Sequence, residues 1–242
     1  MKKTLIIVFI FTINLTFGQI DSLIYQNEDG LTIYNSKAFY KAKEIYNSKK
    51  DKAEFFAKNE EIDGCSVIVD IYRNPLSLTD KYFSYEYYFG SEATCGKYGN
   101  DIEVETINLH TYKKISLSDL FTEKSIVKAL KNDNWVLKLV NELSLTKELD
   151  SVNSFNEMLE FLNNLGYDYD IKFHKSGFCL VSEKMTGGKI GIRLIGSQPL
   201  SVSYHRIPLQ LGLMLVPKPD FKDKLLNKTE FVLGKFKNGL TK

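Results

Sequence analysis

Three short motifs could carry nucleophilic chemistry. Ser125-Ile126-Val127-Lys128 has the S-x-x-K form, Ser151-Val152-Asn153 could serve as a second motif and Lys175-Ser176-Gly177 as a third. In penicillin-recognising enzymes a lysine one helical turn from the serine assists its deprotonation, and the third motif lines the site from a strand. The order is right, but the spacings leave little room for the helical subdomain of such enzymes. Ser144-Leu145-Thr146-Lys147 is a second S-x-x-K in the same chain. The simpler reading places Ser125 on a helix surface and Lys175-Gly177 in a hairpin turn.

The histidines are His110, His174 and His205, none with a second histidine at metal-ligand spacing. Neither H-E-x-x-H nor G-x-S-x-G occurs. Asp101, Glu103 and Glu105 share one strand parity, as do Asp168 and Asp170. Paired carboxylates serve glycoside hydrolysis, yet acids alternating with apolar residues read first as a solvated sheet face. No C-x-x-C occurs among Cys65, Cys95 and Cys179, so neither a zinc site nor thioredoxin-like chemistry is expected. A Cys65–Cys95 bridge is one option and three free thiols the other. No cofactor and no metal site is expected.

Aromatic residues suggest binding instead. From Tyr82 to Phe89 the chain alternates, with Phe83, Tyr85, Tyr87 and Phe89 on one face and Tyr82, Ser84, Glu86 and Tyr88 on the other. Tyrosine offers large area, low entropy cost and a polar tip. Outward Tyr82 and Tyr88, with Glu92 and Tyr98 of the following loop, form the candidate binding set.

The elements that must position these residues read as α+β, with antiparallel strands, a segregated central helical block and an N-terminal helix. Phe39, Ala42, Ile45 and Tyr46 recur at helical spacing, so a helix is expected from Ser36 to about Glu60. Strands follow: one over 65–72, ended by Asn74-Pro75, then Tyr82–Phe89, then one over 102–109. In the last, the apolar parity switches from Ile102 and Val104 to Ile107 and Leu109, the mark of a β-bulge near Glu105 or Thr106. Ser118 to about Gly166 is helical, with stripes at Ile126, Val127 and Leu130; at Trp135, Leu139, Val140 and Leu143; and at Phe155, Leu159 and Leu162. Strands return at Ile171–Phe173, Phe178–Val181, Ile190–Leu194 and Val202–Tyr204, with Gly187-Gly188 as a turn. Pro208, Pro217 and Pro219 then break the chain before a Lys-rich end. No phosphate-binding βαβ unit is visible.

The first eighteen residues supply an address. Lys2 and Lys3 precede an apolar run from Leu5 to Phe17, and Thr16-Phe17-Gly18 sets small residues before a cut ahead of Gln19. This is the layout of a secretory signal peptide, too short to span a bilayer. The formal net charge of +2 resides in Lys2 and Lys3, so the mature chain is neutral. Neutrality argues against nucleic-acid binding, which needs a basic surface. No later apolar run reaches membrane-spanning length, so the mature protein is expected to be soluble, in the periplasm or outside the cell.

The stretch YFSYEYYFGSEATCGKYGNDIEVETINLHTYKKISLSDLF, Tyr82–Phe121, resembles the start of the RsiV-like domain. That domain is the C-terminal part of the lysozyme-sensing anti-sigma factor RsiV and of some exported polysaccharide deacetylases. Ile115–Phe121 is similar to the family's isLsDLF segment, and Gly187–Leu194 with Ile207-Pro208-Leu209 is similar to its closing strand and Ile-Pro segment. The resemblance spans about residues 63–226. It divides the chain into a signal peptide (1–18), an N-terminal extension with a helix (19–62), an RsiV-like α+β domain (63–226) and a Lys-rich tail (227–242). The family loop often reads Gly-Gly-Ala-His; here Gly90-Ser91-Glu92-Ala93 lacks the histidine, and neither a deacetylase domain nor a membrane-spanning anti-sigma segment precedes it. The resemblance thus implies an exported, non-catalytic envelope module that binds a lysozyme-like protein or a cell-wall glycan, and it transfers no catalytic residue. The alternatives are an envelope hydrolase or transferase using His110 or His205 with nearby carboxylates, and a structural subunit of an outer-membrane assembly.

Overall fold

The computed structural model describes residues 21–58, 66–93, 98–165, 170–180, 187–200, 205–226 and 229–232. Four short strands open the chain: β1 (Leu23–Gln26), β2 (Leu31–Tyr34), β3 (Lys37–Tyr40) and β4 (Lys43–Asn47), followed by helix α1 (Ser48–Lys58). The long hairpin β5 (Val67–Thr79) and β6 (Tyr82–Ala93) leads to β7 (Tyr98–Asn108) and the stub β8 (Lys113–Lys114). Five helices form the middle: α2 (Leu117–Leu120), α3 (Glu123–Lys131), α4 (Asn134–Leu143), α5 (Thr146–Ser151) and α6 (Phe155–Asn164). Then come β9 (Lys172–Leu180), β10 (Ile190–Pro199), β11 (Arg206–Leu215), α7 (Pro219–Leu226) and β12 (Thr229–Val232). The protein is α+β, with every named strand pair antiparallel.

The strands make three sheets, ordered β1-β2-β3-β4, β12-β5-β6-β7-β8 and β11-β10-β9. The five-stranded sheet lies between the other two. On its odd-numbered β6 face, Phe83 and Tyr85 pack with Leu31, Ile33, Ala38, Tyr40 and Tyr46 of the N-terminal sheet. On the opposite face Leu76 and Val104 meet Cys179 and Ile195. The far side of the three-stranded sheet buries Phe178, Leu180, Ile192 and Leu194 against Ile126, Leu130, Val136, Phe155 and Leu162 of the helices.

Several expectations are corrected. The stretch 36–47 is not helical: it forms β3, β4 and a two-residue turn, and the helix is confined to Ser48–Lys58. Lys41 and Ala42 carry φ of 48° and 66°, the double left-handed turn that normally advertises itself as Asn-Gly. Without those residues, apolar positions on short strands mimicked a helical stripe. Pro75 does not end β5; the register shifts between Pro75 and Ser77, and such an irregularity accommodates a residue lacking an N–H. Conversely, β6 and β7 pair in unbroken register, so no bulge lies at Glu105 or Thr106. The parity switch arises because β7 is covered on both faces: Ile102, Val104 and Thr106 face the three-stranded sheet, while Ile107 and Leu109 face the N-terminal one. Lys175-Ser176-Gly177 is not a hairpin turn but an irregularity inside β9, between Phe173 and Phe178. Pro208 lies within β11, which a proline tolerates because β11 is an edge strand.

The helical block matches expectation. Ile126, Val127, Leu130, Phe155, Leu159 and Leu162 are buried, whereas Leu143 is exposed. Two capping boxes, Ser116 with Asp119 and Ser154 with Glu157, start α2 and α6. Gly187 and Gly188 form the expected turn, both with positive φ. Gly166, Cys65, Cys95, Val202–Tyr204 and the signal-peptide stretch lie outside the described residues.

Candidate functional site

The aromatic hairpin extends beyond the layers that cover it. Near the Val67 end of β5, on the face of β6 that carries its even-numbered residues, Ile68 is 58% exposed and Tyr72 37%. Tyr72 stands directly across from Tyr88 in the β5–β6 register. Their rings stack with centroids 4.4 Å apart and an interplanar angle of 10°. Such cross-strand aromatic pairs hold a sheet together and present a flat, rigid surface. Gly90 makes room for it: a Cβ there would lie 2.9 Å from the Tyr88 ring and hydroxyl. Burial, then the neighbouring Glu86, Tyr88 and Asp70, push the Tyr72 phenol up to about 12.

Next to this pair on the same face is Glu86, 3% exposed. Its Oε1 accepts from Asn74 Nδ2 at 3.0 Å, while Oε2 is buried with no hydrogen-bond partner among the described residues. A buried polar oxygen without a partner is costly. Further along the face, Glu92 is exposed and pairs across the sheet with Tyr98, the first residue of β7.

One border of the surface is held by Arg206, the first residue of β11. Asn100 Nδ2 donates to the Arg206 carbonyl at 2.9 Å, and Asn100 Oδ1 accepts from the Arg206 N–H. The guanidinium reaches Ser197 Oγ from Nε at 2.9 Å and Asp170 Oδ2 from Nη1 at 2.9 Å. Exposed Leu200 and Ile207 lie at the same end.

Of the four residues singled out in the sequence, the structure places Tyr88, Glu92 and the backbone of Tyr98 at this end. Tyr82 stands apart. It is 2% exposed, lies about 20 Å away along β6 at ~3.4 Å per residue, and packs edge-on against Phe221 at 5.9 Å. Tyr72, Ile68 and Glu86 were missed as site residues. The pairing that joins Tyr72 to Tyr88 runs through a strand that Pro75 had seemed to terminate.

On the odd-numbered face at this end, α1 leaves a cleft of about 250 Å³ lined by Asp51, Phe55, Arg73, Tyr87 and Phe89. Arg73 pairs with Asp51 at 3.0 Å and lies 4.8 Å from the Tyr87 ring centroid. Burial pushes the Asp51 carboxyl above its usual range, with Arg73 opposing.

The other candidates do not assemble. His110 stacks on Tyr40 at 5.8 Å, on the N-terminal-sheet side of the central sheet, whereas His174 and His205 belong to the three-stranded sheet and its approach. Among the described residues no group of three His, Cys, Asp or Glu could hold a metal ion. Ser125 Oγ donates to Thr122 O at 2.9 Å and accepts from Val216 N at 3.1 Å, so its hydroxyl fastens α3 to the end of β11. Ser151 Oγ donates to Glu148 O at 2.7 Å. Glu105 accepts from Tyr85 and pairs with Lys114. Cys179 is a free, fully buried thiol, and burial pushes it up to about 12.

Fold and site together define an α+β protein whose three antiparallel sheets hold an aromatic, part-exposed surface at one end. The sequence matches no family model and no curated protein. Among solved structures, the crystal structure of a member of the DUF3298 family from Bacteroides fragilis is similar at 13% identity, covering 75% of this chain and 62% of that one, with a TM-score of 0.32. None of the described helices is long and apolar enough to cross a membrane.

Proposed function

We propose that this protein is an exported, non-catalytic binding module of the bacterial cell envelope, recognising a protein or a glycan through the Tyr72–Tyr88 surface. The reading rests chiefly on the stacked, part-exposed tyrosine pair with exposed Ile68 beside it. Flat aromatic faces take up sugar rings or apolar side chains. The signal-peptide pattern of residues 1–18 supports export, and the resemblance of Tyr82–Phe121 to the RsiV-like domain supports an envelope partner such as a lysozyme-like protein or cell-wall glycan.

The test is retention of the purified mature protein on immobilised lysozyme and on peptidoglycan fragments, comparing wild type with Tyr72→Ala. Loss of a central aromatic anchor should weaken binding by about tenfold or more, while Tyr82→Phe leaves it unchanged. Equal retention of wild type and Tyr72→Ala, or none by either, refutes the reading.

A further inference from the structure

The three-stranded sheet has two edges, and the chain treats them differently. Along β9 four outward backbone groups are bound by side chains. Asn163 takes both the N–H and the C=O of Phe173, Thr106 donates to the Phe178 C=O, and the Leu180 N–H donates to Ser77. In an antiparallel ladder the N–H and C=O of one residue point to the same side, so the outward groups of β11 belong to every second residue. Arg206 is bound outward by Asn100. Val216, just past the strand, donates to Ser125 Oγ and accepts from Thr122 N. Both are even-numbered, so the outward residues between them are Pro208, Gln210, Gly212 and Met214. Pro208 has no N–H to offer. No backbone hydrogen bond satisfies the outward groups of Gln210, Gly212 and Met214 among the described residues.

That open stretch borders a cleft of about 640 Å³ between β11 and the α3–α4 junction, lined among others by Gly212, Leu213 and Met214. Successive side chains of a strand point to opposite faces, so three consecutive residues can line one cleft only where it meets the strand's edge. Its charged lining is Lys124 and Lys128, one turn apart on α3, with Lys189 and Asp133. Asp133 is occupied as the N-cap of α4, accepting from Trp135 N and Val136 N. None of the three lysines is in an ion pair among the described residues. The site is separate from the tyrosine surface: Met214 lies about 27 Å from Arg206 at ~3.4 Å per residue.

We propose that this cleft takes an extended acidic segment of a partner protein, which adds to β11 as a further strand. Its backbone pairs with Gln210, Gly212 and Met214, and its carboxylates meet Lys124, Lys128 and Lys189. Strand addition of this kind draws affinity from main-chain hydrogen bonds and specificity from the flanking side chains.

The test uses a blocked, fluorescein-labelled peptide of alternating glutamate and valine, titrated into the protein and followed by anisotropy. The expected results are saturable binding, about tenfold weakening by Lys124→Glu with Lys128→Glu, and retention by the Lys→Arg pair. The same peptide N-methylated at alternate residues should fail to bind, since it cannot complete the ladder. Amide exchange at Gln210, Gly212 and Met214 should slow when the unmethylated peptide is present. Circular dichroism and the urea midpoint confirm that each variant is folded. Absence of binding, indifference to the lysine reversals, or equal binding of the methylated peptide overturns the proposal; the last outcome would mark a site for negative charge alone.

Discussion

Thr106→Val should be expensive for a nearly isosteric change. Thr106 stands in a buried chain of hydroxyls between the central sheet and β9. The Leu180 N–H donates to Ser77 Oγ at 3.2 Å, Ser77 donates to Ser84 Oγ at 3.2 Å, Ser84 and Thr106 are 2.9 Å apart, and Thr106 donates to the Phe178 carbonyl. The Phe178 carbonyl sets the direction: it can only accept, so it takes the one Thr106 proton, and Ser84 must then donate to Thr106 and Ser77 to Ser84. Every proton in the chain is thereby placed. Valine leaves the Phe178 carbonyl without its donor and the Ser84 hydroxyl without its acceptor. Each of the two stranded buried groups costs ~1–3 kcal/mol, against which the new methyl returns ~0.8 kcal/mol, so about 1–5 kcal/mol should be lost. Ser84→Ala strands only the Ser77 hydroxyl and should cost less. The double variant should cost less than the sum, because with Ser84 gone there is no hydroxyl left for valine to strand. Urea titration followed by the fluorescence of the single tryptophan, Trp135, reads both effects; its indole packs against Phe173 of β9. A Thr106→Val midpoint equal to wild type at unchanged slope, or strictly additive variants, would refute a directed chain.

Two further outcomes are expected. Gly196→Ala would bring a Cβ to 2.6 Å from the Lys172 carbonyl and 2.7 Å from the Phe173 ring, so it should lose about 2 kcal/mol or more; Gly188→Ala, with open space around it but φ of +75°, should lose about 1 kcal/mol. In urea titrations, equal midpoints for these two variants would contradict the argument. At high pH, burial holds Tyr82 up at about 12 against an ordinary 10.0 and pushes Tyr46 and Tyr85 above the usual range as well. The unfolded chain therefore releases these protons first and binds fewer of them, so stability is intact below about pH 10 and falls from there to about pH 12; a urea midpoint that stays flat to about pH 11 would count against it.

What could be read from the sequence depended on whether a residue's signal was local. The helices were legible because Ile126, Val127 and Leu130 or Phe155, Leu159 and Leu162 repeat within one element. The alternation of β6 was legible for the same reason. Its burial was not. Ser84 and Glu86 look like an outward face, yet both are buried because a second sheet lies on them. The β3–β4 turn was hidden by Lys41 and Ala42, which adopt a backbone that their types do not advertise. At the candidate site, Tyr88 and Glu92 could be named from β6 alone. Tyr72 could not, because its role depends on a register carried past Pro75, and Tyr82 shares the strand face of Tyr88 without sharing its exposure.

The N-terminal strands and β5–β7 share a single apolar seam, in which Tyr46 stacks with Phe83 at 6.5 Å and tilts against Tyr85 at 5.2 Å. A boundary between residues 62 and 63 would cross this seam. Such a seam is suited to fragment complementation. A chain severed between α1 and β5 should behave as two interlocking parts, each carrying half of a surface that the other recognises, and the pieces should reassemble on mixing.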